Sequence, residues 1–285
     1  MTDLRDSFFE VLVDIAIADK KIILLSVDMG SKVVQARGQL LKNRCINVGV
    51  SEQNAVSLAA GLSSQGFIPF VYGISSFLIN RPRAQIRHDA VIGNNKINLI
   101  GSGPGLAYDL DGPSHHCLDD IQLMRSLPNV KIFTPFDAPT ARLAAQEMIR
   151  SNRTTYCRLD KGTYPQRSKF MRNLGDLYIN IRDPAKWVVS SGVLAHKLSK
   201  EDMRSEMVVF GVEEGIYHQI INTIPDGATI SVVEEAHVSG GILSIIAEAN
   251  LLFNKKWSFV GPKLQNKFIQ EKWKRDKLYE LYCEI

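Results

Sequence analysis

The sequence contains no run of about 18 apolar residues, the length a helix needs to cross a bilayer. Between Met1 and Lys20 it carries acids at Asp3, Asp6, Glu10 and Asp14, which leaves no basic-then-apolar pattern of a secretory signal. Cysteine is scarce. Cys45, Cys117, Cys157 and Cys283 show no C-x-x-C spacing, so neither a disulfide framework nor a zinc site is expected. Charge of one sign is also lacking: the net charge is +4, and the basic runs "NKKW" and "EKWKRDK" near the C-terminus mix both signs as a solvated helix face does. That argues against a nucleic-acid partner. No internal repeat or low-complexity tract occurs. These absences suggest a cytoplasmic protein with no membrane contact.

A substantial apolar content is present. With 285 residues, 45% hydrophobic and 22% charged, the chain can bury a large core and is long enough for two domains. Helical and strand periods alternate along it. Leu4, Phe8, Phe9, Leu12, Val13 and Ile15 mark a helix, and "IILLSV" (Ile22 to Val27) reads as a buried strand. A helix over Ala55 to Leu62 follows, then strands at Phe67 to Gly73, Ile97 to Gly101, Val130 to Pro135 and Thr154 to Leu159. Short apolar strands separated by helices imply an α/β fold with a mostly parallel sheet covered on both faces. Ligands of such sheets meet the carboxyl ends of the strands. From Lys161 to Asp183 the sequence is charged and aperiodic, which reads as a linker. Beyond it "WVVSSG", "MVVFG" and "TISVVEE" are expected strands, with helices near Glu214 to Ile221 and Ile242 to Leu252. The expected layout is two doubly wound α/β domains: a larger one over 1–165, a linker over 166–183 and a smaller one over 184–285.

Two stretches stand out chemically. In "INVGVSEQNAVSLAAG", Glu52 falls where a strand hands over to an Ala-rich helix. On position alone it is a first-turn acid that complements the helix dipole, with Ser51 as the cap. The second is "GSGPGLAYDLDGPSHHCLDDI", a Gly/Pro-rich loop in which Asp111 precedes the adjacent histidines His115 and His116. A simple turn needs only Asp-Gly-Pro, and a loop of this length after a strand tends to hold a site. Adjacent histidines point apart, which disfavours a metal site.

In order along the chain, "NVGVSEQNAVSLAAGL", "YGISSFLINRPRAQI", "DLDGPSHH", "RSLPNVKIFTPFDA", "CRLDKG" and "SVVEEAHVSGG" resemble the pyrimidine-binding and C-terminal domains of the transketolase family. The resemblance runs from the first helix to about Glu248 and is strongest to the C-terminal subunit of a split transketolase. It implies thiamine diphosphate as cofactor. Glu52 is then the glutamate that reaches the N1′ atom of the aminopyrimidine ring across a subunit interface, where an apolar setting disfavours its charged form and lets it share a proton with the ring. That contact promotes the imino tautomer that removes the thiazolium C2 proton. A two-carbon ketol unit then passes from a ketose to an aldose, with the electron sink belonging to the cofactor.

The same resemblance makes Phe77 the aromatic that stacks on the pyrimidine, with Leu78 as the alternative in a match one residue out of step and Tyr72 in support. On position alone Phe77 is equally a core residue of the next helix. Asp28, Met29 and Gln53 complete the implied cofactor-binding set. Asp111 and His115 are implied to hold the donor's hydroxyl and carbonyl groups and to assist proton transfer, with His116 behind them. Lys161 falls where relatives carry a phosphate-binding arginine; it keeps the charge without the bidentate fork, and a solvated linker lysine is the alternative.

Several departures qualify the match. Gly103 stands where many members have a histidine or an acid, Pro82 interrupts the aromatic-bearing segment, and the tail after Phe259 matches poorly. The diphosphate-binding G-D-G and downstream Asn have no counterpart: "PDGATISVVEE" with Asn254 imitates the spacing, but Asp226-Gly227 reads as a turn and the segment beyond as apolar helix. No metal ligand is therefore expected in this chain. Magnesium and diphosphate are expected to be held by a separate N-terminal partner subunit in a heterotetramer, with sugars or sugar phosphates as substrates. Two other readings are the β subunit of a 2-oxoacid dehydrogenase and a non-catalytic regulatory subunit.

Overall fold

The computed structural model describes residues 3–198, 203–260 and 268–283. The first helix, Leu4–Ala18, begins where Asp3 caps it, its carboxylate accepting from the Arg5 and Asp6 N–H groups at 2.9 and 3.4 Å. Leu4, Phe8, Leu12, Phe9, Val13 and Ala16 recur at three- and four-residue spacing and form one buried stripe. That stripe shares an apolar layer with Ala141, Ala144, Ala145 and Met148 of helix Ala138–Arg150, which starts in a capping box between Asp137 and Thr140.

The layer covers one face of a seven-stranded sheet. Its strands are β1 (Ile22–Ser26), β2 (Cys45–Asn47), β3 (Ile68–Ile74), β4 (Asn98–Ser102), β5 (Lys131–Phe133) and β6 (Thr155–Leu159), joined later in the chain by a seventh. Across the sheet the order runs β5-β6-β4-β3-β1-β2, all parallel. Helix Glu52–Ser64 packs Ala55, Val56, Ala59 and Ala60 on the opposite face, so β1 and β4 are buried throughout.

A second, six-stranded sheet is built from β7 (Arg172–Asn173), β8 (Leu177–Asn180), β9 (Lys186–Ser191), β10 (Ser205–Val209), β12 (Thr229–Val233) and β13 (Ser258–Val260), in the order β13-β12-β9-β10-β8-β7. The chain is thus α/β with two mostly parallel sheets. The stretch 166–183, expected to be a linker, instead contributes β7 and β8, with β8 pairing antiparallel to β10. The charged residues around "LYIN" masked a strand whose first three residues are buried.

The expected single strand "MVVFG" also divides. Phe210 and Gly211 both donate their N–H groups to the Asp176 carbonyl, at 2.7 and 3.0 Å, and the chain leaves the second sheet there. β11 (Gly211–Val212) then pairs antiparallel with β5, stitching the two sheets together. Gly211 suits this crossing because a Cβ on it would lie 2.0 Å from Asp176 Oδ1.

Asp226-Gly227 is a turn into β12, as expected, with Gly227 at φ +75° and the Asp226 carboxylate accepting from the Lys256 N–H at 2.6 Å. Of the tail after Phe259, residues 261–267 lie outside the described residues, and 268–283 fold back against the junction of the two halves through Ile269, Leu278 and Tyr279. Among the described residues no helix is long and apolar enough to cross a membrane, and no cluster of His, Cys, Asp and Glu side chains is placed to hold a metal ion.

Candidate active site

Every sequence-predicted site residue except Tyr72 lies at or just beyond the carboxyl end of a strand of the first sheet. Asp28 and Met29 follow β1, Glu52 and Gln53 follow β2, Phe77 follows β3, Asp111, His115 and His116 follow β4, and Lys161 follows β6. This is the edge of a parallel sheet where loops from neighbouring strands converge.

Glu52 opens the helix Glu52–Ser64 and is only 5% exposed. Ser51 does not cap that helix: its hydroxyl donates to the Val48 carbonyl at 2.8 Å, closing the turn whose Gly49 sits at φ +73°. Glu52 is the acid of that helix's first turn, and its carboxylate is paired with Arg81, Nη1 to Oε1 at 2.7 Å.

Arg81 ties Glu52 to the rest of the site. Helix Ser75–Asn80 ends as the Arg81 N–H reaches the Phe77 carbonyl, which puts the two side chains on one helix face. The guanidinium carbon lies 4.1 Å from the Phe77 ring centroid. The Phe77 ring meets His115 edge-on at 4.9 Å, His115 meets Tyr108 at 5.7 Å, and Lys161 Nζ stands 3.8 Å from the Tyr108 centroid. Glu52, Arg81, Phe77, His115, Tyr108 and Lys161 thus form one continuous line across the strand ends.

His115 is held by Ser114, whose hydroxyl lies 3.0 Å from Nδ1. Asp111 is exposed on the same loop. His116 is buried; desolvation lowers its pKa, so the ring is neutral near pH 7, and its Nδ1 has no hydrogen-bond partner among the described residues. Burial also lowers the Lys161 pKa, opposed by the charges of Asp109 and Asp111. The chain positions Gly103 (φ +66°) beneath Tyr108, where a Cβ would lie 2.3 Å from Cε2; a histidine or acid there would displace the ring.

The other expected residues are not members of this line. Tyr72 is fully buried and edge-on to Phe9 at 4.7 Å, inside the apolar layer under the first helix, because alternate residues of β3 face opposite sides of the sheet. Leu78, the alternative to Phe77, is likewise fully buried, in the layer on the other face. Asp28 (φ +51°) is paired with Asn47 by two hydrogen bonds, and Met29 packs partly against the core. Gln53 donates through Nε2 to the Arg81 carbonyl at 3.1 Å. Arg81 and Tyr108 were not singled out from the sequence, although Arg81 lies four residues after Phe77, a spacing that stacks side chains on a helix.

Two cavities flank Arg81. A groove of about 490 Å³ includes Glu52 and Gln53, and a cavity of about 280 Å³ includes Phe77, Ser114 and His116, with His237, Phe268 and Ile269 from the C-terminal half. A carboxylate and an aromatic face, both already engaged by one planar cation, form a donor set that suits an aminopyrimidine ring.

The chain is 27% identical to a 6-deoxy-6-sulfo-D-fructose transketolase subunit of Clostridium sp. (strain MSTE9), over 86% of its own length and 80% of that protein. It is 30% identical to an apulose-4-phosphate transketolase subunit of Phocaeicola vulgatus, over 56% of its length and 52% of that protein. In fold it resembles a split gene transketolase described as an inactive beta4 tetramer, with a TM-score of 0.79 at 22% identity, covering 99% of this chain and 94% of that one. Residues 1–167 match the family described as transketolase, pyrimidine binding domain, and the chain belongs to the transketolase family.

Proposed function

We propose that this chain is the pyrimidine-binding subunit of a thiamine-diphosphate-dependent ketol transferase, and that a separate partner chain holds magnesium and the diphosphate. The observation that carries the reading is the joint engagement of Glu52 and the Phe77 face by one planar, N–H-bearing group at the strand ends. When bound, thiamine diphosphate would supply the carbanion that attacks a ketose carbonyl. Glu52 would hold a proton at the ring nitrogen, and Phe77 would fix the ring plane. With Nδ1 engaged by Ser114, His115 has Nε2 left to exchange a proton with a donor hydroxyl. Asp111 and Lys161 would orient the sugar beside it.

Two relatives are named as subunits acting on sugars with an anionic group, a sulfonate or a phosphate. That supports an anionic sugar substrate here, with Lys161, at the Tyr108 end of the line of rings, as the cation that would meet its charged group. The partner requirement rests on the use of Asp226 and Gly227 in a turn and on those subunit names.

The test uses this chain alone, the chain with a diphosphate-binding transketolase subunit, and the same pair carrying Glu52→Ala. The pair is expected to transfer a ketol unit from ketose phosphates and the chain alone to be inactive. Glu52→Ala should lower the rate by about a hundred-fold to ten-thousand-fold. Activity of the lone chain sinks the divided-site reading, and indifference to Glu52→Ala sinks the catalytic one.

A further inference from the structure

Arg81 occupies both contacts that the proposed reading reserves for the cofactor ring. Its guanidinium is planar and carries N–H donors; it meets Glu52 Oε1 at 2.7 Å and lies 4.1 Å from the Phe77 centroid. An aminopyrimidine has the same attributes: it is flat, presents a protonated nitrogen to a carboxylate and stacks on a phenyl face. The carboxylate has acceptor sites to spare, but the space against that Phe77 face holds only one flat group at a time.

Arg81 also lines both the groove beside Glu52 and the cavity beside Phe77 and His116. Its backbone is fixed, since the carbonyl accepts from Gln53 Nε2 at 3.1 Å and the N–H reaches Phe77. The side chain is 45% exposed, so a rotation into water is open to it, while Glu52 is 7% exposed and cannot follow. A buried charged carboxylate left without a donor is costly, so a cation or N–H group facing Glu52 is favoured.

We propose that Arg81 is the placeholder of the ring seat: in the free chain its guanidinium fills the space between Glu52 and Phe77 and keeps the carboxylate paired, and it swings into solvent when the ring arrives. This rests on the ring-site reading above. Displacing it gives up a half-exposed ion pair and a cation–π contact, which together reduce the affinity for the ring about tenfold.

The test titrates thiamine, which carries the aminopyrimidine without the diphosphate, into the free chain and follows binding by calorimetry or ligand-observed NMR. Arg81→Met is expected to bind thiamine about tenfold more tightly than the native chain. Added methylguanidinium should compete in Arg81→Met and restore weak binding, and Arg81→Met with Glu52→Gln should lose the gain. Arg81→Lys, which keeps the charge and loses the flat stack, should show a smaller gain and carries the test if Arg81→Met does not fold. Equal or weaker binding in the Arg81 variants overturns the placeholder; weaker binding would mark Arg81 as a direct ring contact. If the native chain binds thiamine through Glu52 and the variants match it, only the placeholder falls. If no form shows Glu52-dependent binding, either free or paired with a diphosphate-binding transketolase subunit, the ring-site reading falls with it.

Discussion

Arg275 and Asp160 meet face to face, with the guanidinium Nη1 and Nη2 at 3.0 and 2.6 Å from the two carboxylate oxygens. The same guanidinium reaches Glu235 through Nε at 2.9 Å and Nη2 at 2.7 Å, so one cation from the C-terminal segment serves two buried acids. Asp160 follows the strand β6 and precedes Lys161, and Glu235 also accepts from the Leu106 N–H and the Tyr279 hydroxyl. The C-terminal segment is thereby clamped onto both sheets beside the proposed site.

Arg275→Ala is expected to be severely destabilising, because it leaves two carboxylates buried without a counter-charge. Breaking such a buried pair costs about 3 to 5 kcal/mol. Denaturant unfolding of the variant against the native chain measures it. A change under about 1 kcal/mol, the worth of an exposed pair, would show that the clamp does not hold the fold.

Glu234 makes stability depend on pH. Its carboxylate is 1% exposed and accepts from the Ile242 and Leu243 N–H groups at the start of the following helix, at 2.5 and 3.1 Å. Burial nevertheless pushes its pKa from 4.5 up to about 7, against the pull of those two hydrogen bonds. The folded chain therefore binds this proton more tightly than the unfolded chain. Between about pH 4.5 and 7 its contribution to stability falls as pH rises and then levels off. Glu234→Gln removes that slope; the native-minus-variant difference in unfolding free energy should shift by up to about 3 kcal/mol between the ends of that window. A parallel pair of pH profiles would count against it.

Gly103 is predicted to tolerate no side chain. Its positive φ costs an ordinary residue about 1 to 2 kcal/mol, and a Cβ 2.3 Å from Tyr108 Cε2 would drive the ring away from His115 and Lys161. Gly103→Ala should lower stability by at least that amount and move the His115 ring resonances in an NMR spectrum. Unchanged His115 resonances would mean that Tyr108 does not support that histidine.

Much of this was legible in the sequence where one periodicity acted alone. The run "IILLSV" is apolar because both faces of β1 are covered, and Leu4, Phe8 and Leu12 repeat because one helix face is. The site's position at the strand ends follows from the parallel order. What stayed hidden depended on distant partners. β8 is short and flanked by Asp176, Arg182 and Asp183, so its pairing with β10 left no local trace. Arg275 sits in a run that reads as a solvated helix face, and only Asp160 and Glu235, far off in sequence, bury it. Tyr72 was drawn toward the site by its place before Phe77, whereas the alternation of β3 turns it into the core.

Lys161 offers the sharpest test of substrate class. Its ammonium lies against the Tyr108 face, and burial has already lowered its pKa, so it is partly desolvated and positioned without a close carboxylate partner among the described residues. A point charge of this kind attracts an anionic sugar end group without the planar selectivity of an arginine fork. In the active pair, Lys161→Met should raise KM for phosphorylated donors by about tenfold, the worth of roughly one charge-assisted contact, with a smaller change in kcat. Lys161→Arg should retain most of the affinity, and donors without a charged group should be nearly indifferent to either change. An equal loss with charged and uncharged donors would show that the lysine acts on the Tyr108 and His115 geometry and not on the substrate's charge.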